Sequence, residues 1–265
     1  LSQDRIDQLT QYSIDFNQPV STKQIEGKTY ADVGFDQWSA SGLAVAWAEE
    51  NTRDSIFQAF KRKETFATTG TRMAVRFFAG FDMESIDLNS EDMVEDAYAK
   101  GVTMGADLFS QGNQTPQFLV WAQRDKLGAP LQRVQIIKGW VETASGTPKE
   151  KVYDVACSDG LTVDPLTNRC PDNGARVNIN DCSISNDVGA GELKTKWIDP
   201  DFDPAVKAFY YVRVLENPTC RWSTWDALRA GEKPRPDLHE TIQERAWSSP
   251  IWYIPESKDL DIIPL

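Results

Sequence analysis

KRKETFATTGTRMAVRFFAGF, residues 61–81, changes its period part-way along. Lys61 to Glu64 are good helix formers, whereas Met73, Val75, Phe77 and Ala79 fall on alternate positions. A period near 3.6 gives way to a period of 2, which marks a helix ending where a sheet begins. Upstream, EENTRDSIFQAFKRKE (49–64) predicts a helix of about three turns. Thr52 is its N-cap, and Asp54 places an anion in the first turn. Lys61, Arg62 and Lys63 place cations in the last turn. Ile56, Phe57 and Phe60 form one apolar stripe, so the helix is expected to pack through its phenylalanines. Thr65 to Gly70 reads as a crossover, after which an all-β region begins near Thr71.

Downstream, the apolar runs are short and alternate. They are PQFLVWAQ (116–123), LQRVQIIKGWVE (131–142), EKVYDVACS (150–158), AFYYVRVLE (208–216) and SSPIWYIP (248–255). Runs of this kind, separated by turn chemistry, predict an antiparallel sandwich or barrel. TASGTPKE (143–150) reads as a hairpin connection. RWSTWDALRAGEKP (221–234) reads as an inserted helix capped by Ser223 or Thr224 and stopped by Gly231. RIDQLTQYSIDF (5–16) is weakly helical, and GKTYADVGFDQWSASG (27–42) reads as loop. The fold class is therefore α+β, mostly β: an antiparallel β-sandwich, residues 71–265, preceded by a helical and loop segment, residues 1–70. That segment is too small to hold a large core alone. It packs on the sandwich or belongs to a domain whose remainder lies outside this chain.

The formal charge is 28 − 40 = −12, and an acidic surface repels phosphate backbones, which argues against nucleic acid as a partner. No apolar run approaches the roughly 18 residues of a membrane span. The opening LSQDRIDQLT has neither an initiator methionine nor a signal-peptide pattern, so a processed form or a piece of a longer protein is expected. Cys157, Cys170, Cys182 and Cys220 are even in number, and three lie in a loop rich in Gly, Pro, Asp and Asn. Zinc would want closer cysteine spacings or histidines, and His239 is the only histidine. Disulfides fit better, with the connectivity open, and they predict a periplasmic or secreted protein.

Three long strings carry a resemblance. SGLAVAWAEENTRDSIFQAFKRKETFATTGTR (41–72), DPDFDPAVKAFYYVRVLENPTCRWSTWDA (199–227) and TIQERAWSSPIWY (241–253) resemble a bacterial family, number 3604 in the domain-of-unknown-function series. The likeness covers about residues 39–255. It implies a longer protein similar to metal-dependent hydrolases of the polymerase-and-histidinol-phosphatase (PHP) type. In those, an N-terminal α/β barrel carries H-x-H and D-x-H ligand strings and a β-rich domain follows. The helical segment would be what remains of that barrel, and the rest of the catalytic domain would be the partner. This chain has no H-x-H and no D-x-H. A divalent metal is therefore expected in the parent's catalytic part and no cofactor in this chain, which alone would hydrolyse nothing.

Several residues remain as candidates. Glu49, Glu50 and Arg53 precede or open the first helix and could face the parent's barrel mouth, with Arg53 taking an anionic substrate. Their plainer role is as helix N-terminal acids and a surface ion pair. Thr69 and Arg72, in TTGTR, could hold an anion if Gly70 adopts a positive φ. The alternative is a crossover whose hydroxyls bond the backbone. Asp159, Asp164 and Asp172 are weak calcium candidates, since their spacing matches no known loop. Trp222, Trp225, Trp247 and Trp252 could instead line a sugar platform, which would make the chain a stand-alone carbohydrate- or ligand-binding sandwich. That reading requires a buried first helix, whereas a fragment should expose an apolar patch beside it. A third class is an enzyme using carboxylates alone, which would need two facing carboxylates in a cleft.

Overall fold

The computed structural model describes residues 21–31, 37–38 and 41–256. The helix expected over 5–16 lies outside these. The chain divides into two compact units.

The larger unit spans Gly42–Arg176 and Ser185–Asn217, and resumes at Gln243. Its strands are β1 (Leu43–Ala46), β2 (Thr65–Thr68), β3 (Ala74–Gly80), β4 (Gly101–Thr103), β5 (Asp107–Phe109), β6 (Gln117–Gln123), β7 (Leu131–Val141), β8 (Pro148–Cys157), β9 (Glu192–Ile198), β10 (Ala208–Glu216), β11 (Arg245–Ser248) and β12 (Ile251–Ile254). Eight strands form one sheet in the order β8-β7-β10-β11-β2-β1, with β12 also paired to β10 and to β5. Four form the second sheet, β9-β6-β3-β4. Apart from the parallel β12–β5 pair, the pairings are antiparallel. The expected antiparallel β-sandwich is the architecture found.

Alternation builds the core directly. Val75, Phe77 and Ala79 of β3 point inward with Phe118 and Val120 of β6, against Val134, Ile136, Tyr210 and Val212 of the larger sheet. Phe78 and Leu119 point the other way, into a second cluster closed by Met93 and Ala97 of helix α2 (Met93–Lys100). Each fully buried aromatic ring of this kind removes a large apolar area from water.

Helix α1 (Arg53–Arg62) begins as expected: the Thr52 hydroxyl accepts from Ser55 N at 3.3 Å. It ends one residue early. Lys63 is left-handed at φ 58°, and its N–H bonds Ala59 O and Phe60 O, so it closes the helix rather than joining the last turn. The phenylalanine packing is corrected. Ala59 is the buried position, while Phe57 and Phe60 are 57% and 55% exposed.

Thr65–Thr68 is likewise not a crossover. It is strand β2, pairing β1 on one side and β11 on the other, with Phe66 and Thr68 inward. Residues 42–70 therefore belong to the sandwich unit, and the boundary placed at residue 70 is not a division between compact units. The sequence reading also missed α2 and β9. Lys196 and Trp197 disguise β9, although Trp197 packs on the core.

The smaller unit holds a hairpin, Thr22–Ile25 with Lys28–Ala31, whose second strand falls where a loop was expected. Glu26 and Gly27 both take positive φ, 48° and 78°, as a two-residue hairpin turn requires. Helix α3 (Trp222–Arg229) starts after Arg221 rather than at a Ser or Thr cap, and Thr224 instead donates to Glu240 O at 2.7 Å. The cysteines pair as Cys157–Cys170 in the larger unit and Cys182–Cys220 in the smaller. Among the described residues, no helix is long and apolar enough to cross a membrane.

Candidate functional site

A cleft of about 600 Å³ opens on the larger unit. Trp47 follows β1, Glu49 leads toward α1, and Arg62 closes α1; Glu64, Arg76 and Tyr98 complete the named wall. Each comes from a different local device. The left-handed stop at Lys63 turns the chain so that Glu64 N reaches Ala59 O, which folds Glu64 inward. Arg76 sits on the β3 face opposite Val75 and Phe77, and Tyr98 comes from α2, packed edge-on to Phe78 at 4.9 Å.

Glu64 is the hub and is 2% exposed. Its carboxylate accepts from the Tyr98 hydroxyl, from Thr103 Oγ1 at 3.2 Å and from Arg62 Nε at 3.4 Å. Arg76 Nη1 lies 3.5 Å from it and donates to the Tyr98 hydroxyl oxygen at 2.6 Å. The Arg76 guanidinium carbon also lies over the Trp47 ring, 3.7 Å from its centroid. Burial, then the bond to Glu64, pushes the Tyr98 phenol up to about 12, so it remains a donor at neutral pH. Two guanidiniums share one buried carboxylate, and each has more donors than that carboxylate uses. A site of this composition can hold an anionic oxygen between planar N–H groups.

Of the residues singled out from sequence, Glu49 lines this cleft. Glu50 and Arg53 are exposed at the start of α1, where Glu50 N donates to Ser55 Oγ at 3.1 Å. Thr69 and Arg72 do not line it. The Thr69 hydroxyl donates to the Glu244 carboxylate and accepts from Arg245 N at 2.9 Å; Arg72 N donates to Asp125 at 2.8 Å. Gly70 has a φ of 138°, and the Thr68 hydroxyl bonds Thr71 O at 2.6 Å and Gly70 N at 3.2 Å. Those contacts hold the turn itself.

The three calcium candidates hold separate turns. Asp159 accepts from Gly189 N at 2.8 Å, Asp164 from Leu166 N at 2.8 Å and Asp172 from Gly174 N at 3.0 Å. These bonds help to hold the carboxyls of Asp164 and Asp172 below the usual range. Trp222 and Trp225 lie on α3 in the smaller unit, Trp247 and Trp252 in the larger. Among the described residues, no group of three or more His, Cys, Asp or Glu could hold a metal ion, and the single histidine, His239, is exposed. The described residues therefore do not supply the ligand set of a divalent-metal centre, which the PHP resemblance implies for a part outside this chain.

Glu216 was missed. It is fully buried, and both carboxylate oxygens lack a hydrogen-bond partner. Burial, reinforced by Glu244 and Asp125, pushes it up to about 7, while the nearby Thr71 hydroxyl counteracts part of the shift without reaching bonding geometry. Asp125 is held below the usual range by the Arg72 and Leu127 amides. A perturbed carboxyl sealed from solvent does not supply the open pair of carboxylates that a carboxylate-only enzyme needs. No local signal could have exposed it, because its position at the end of β10 reads as an ordinary strand terminus.

A family model described as Protein of unknown function (DUF3604) matches residues 8–255. The chain belongs to this family. The match reaches some thirty residues further toward the N-terminus than the three quoted strings suggest. No curated protein matches the chain, and no solved structure matches it.

Proposed function

We propose that this chain is the accessory β-sandwich portion of a secreted or periplasmic metal-dependent hydrolase with phosphoesterase-like chemistry. The cation ligands would lie in an α/β catalytic portion outside this sequence. The observation that carries the reading is the bare face of α1. Phe57 and Phe60 are 57% and 55% exposed on an otherwise well-formed amphipathic helix. A helix buries its apolar stripe against something, and the stand-alone module reading required this one to be buried. The same helix carries Arg62 into the Glu64 cleft, so a catalytic domain seated on the phenylalanines would bring its substrate toward the guanidinium pair. Two disulfides support an oxidising compartment.

The test compares this chain with the full-length protein on p-nitrophenyl phosphate with added divalent metal. The full-length protein should turn over and this chain should not. Phe57→Ser with Phe60→Ser should lower full-length activity about tenfold or more while leaving this chain's thermal unfolding unchanged. Turnover by this chain alone, or full activity in the double variant, refutes the assignment.

A further inference from the structure

Lys138 is a lysine inside a sandwich. It stands on β7 in step with the inward Val134 and Ile136, and it is 4% exposed. Its ammonium donates to Asp199 Oδ2 at 2.5 Å and to Asp201 O at 2.7 Å. Asp199 is 3% exposed and directly follows β9, so the pair reaches from one sheet to the other. Burying two ions costs more than burying apolar side chains of similar volume, so stability alone is a poor reason to keep opposite charges here.

The surroundings are arranged around that contact. Asp199 Oδ1 accepts from Asp201 N at 2.9 Å, and the Tyr210 hydroxyl donates to Oδ2 at 2.8 Å. Burial, then the Asp199 charge, pushes the Tyr210 phenol far up, so it stays a donor. The Trp140 and Tyr210 rings lie 5.1 Å and 5.9 Å from Lys138 Nζ. The Tyr153 hydroxyl donates to Asp201 Oδ2 at 2.6 Å, and Lys151 pairs with the same carboxylate from outside, which fixes the turn. An amine, a carboxyl and a donor to each carboxyl oxygen are thus held together away from water.

We propose that Lys138 and Asp199 condense into an intramolecular isopeptide bond, a covalent tie between the two sheets. The step needs no oxidant, reductant or cofactor. Nζ passes one proton to Oδ2 along their hydrogen bond, leaving a neutral amine beside a carboxylic acid. The Nζ lone pair attacks Cγ, and the carbonyl pair moves onto Oδ1, where the Asp201 N–H stabilises it. That pair returns as the Cγ–Oδ2 bond breaks, with Tyr210 hydrogen-bonded to the departing oxygen. Oδ2 takes a second proton from Nζ and leaves as water, and Nζ keeps one hydrogen as the amide N–H.

Both charges are consumed, which removes the cost of burying them. Positioning supplies the rate. Well-oriented intramolecular reactions reach effective molarities of about 10⁵–10⁸ M. An oxygen at 2.5 Å brings Cγ, one bond further on, to about the 3–3.5 Å of a near-attack pair. A cavity of about 290 Å³, lined by Lys138, Asp201 and Tyr210 among others, gives the released water an exit. Every group belongs to the larger unit, so the bond stands or falls separately from the hydrolase reading.

The experiment weighs the chain by mass spectrometry after it has folded and then been denatured and fully reduced. Denaturation dissolves an ion pair and spares an amide. The chain should weigh one water less than its sequence requires. Trypsin should leave Lys138 uncut and release residues 134–149 joined to residues 197–207. Lys138→Met removes the amine and keeps an unbranched side chain, and the folded variant should recover the full sequence mass. The parent's mass decides the question even if that variant does not fold. A parent at full sequence mass, holding a plain ion pair, overturns the proposal. So does a water loss that maps to other residues or persists in Lys138→Met.

Discussion

Replacing Glu216 by Gln should stabilise the protein at neutral pH and leave it unchanged in acid. The side chain is fully buried with two unpartnered oxygens, and its carboxyl titrates near 7 in the folded state rather than at the ordinary 4.5. The folded protein thus holds a proton that the unfolded chain releases. Stability is therefore full below pH about 4.5, falls as pH rises through the window up to about 7, and levels off above it. The two titrations differ by about 2.5 pH units, which at about 1.4 kcal/mol each amounts to roughly 3 kcal/mol. Gln keeps the shape and cannot ionise, so it avoids that cost.

The assay is urea unfolding followed by tryptophan fluorescence across pH 4 to 8, with disulfides intact. The quantity of interest is variant minus parent, in which the titration of distant groups cancels. Glu244 and Asp125 face the same carboxyl, and their coupling broadens the transition without changing its sign. The difference should rise from near zero to about 3 kcal/mol in favour of the Glu216→Gln variant. A difference that is flat with pH, or a variant less stable at pH 8, refutes the account of a neutral buried acid.

Other consequences follow from single contacts. Gly128→Ala places a methyl 3.0 Å from Glu216 Oε1 and 3.1 Å from Asp125 Cβ, so it should destabilise by about 1–3 kcal/mol in the same unfolding assay. Thr52→Ala removes the N-cap of α1 and should cost about 1 kcal/mol, read as a lower denaturation midpoint at unchanged slope. Cys157→Ser with Cys170→Ser opens a loop closed over 13 residues and should cost about 3 kcal/mol. Thiol titration of the denatured, unreduced parent should find no reactive cysteine, since all four are paired.

Local free energies made part of this protein legible from its sequence. The Thr52 cap and the acid-to-base order along α1 are settled within a few residues, as are the alternation in β3, β7 and β10. So the first helix, the sandwich and the presence of disulfides could be read directly. Periodicity cannot say what faces a stripe, which is why the phenylalanines of α1 were expected inside and stand outside. It also fails where strands are short. Thr65–Thr68 looked like a connection because four residues carry too little pattern, yet pairing on both sides makes it a strand.

The cysteine pairing and the sites themselves were decided only by tertiary structure. Glu64 meets Tyr98 across 34 residues, and Lys138 meets Asp199 across 61. Whether such residues touch depends on strand order and register. Those are set by how the whole core packs, and no local stretch of chain encodes them.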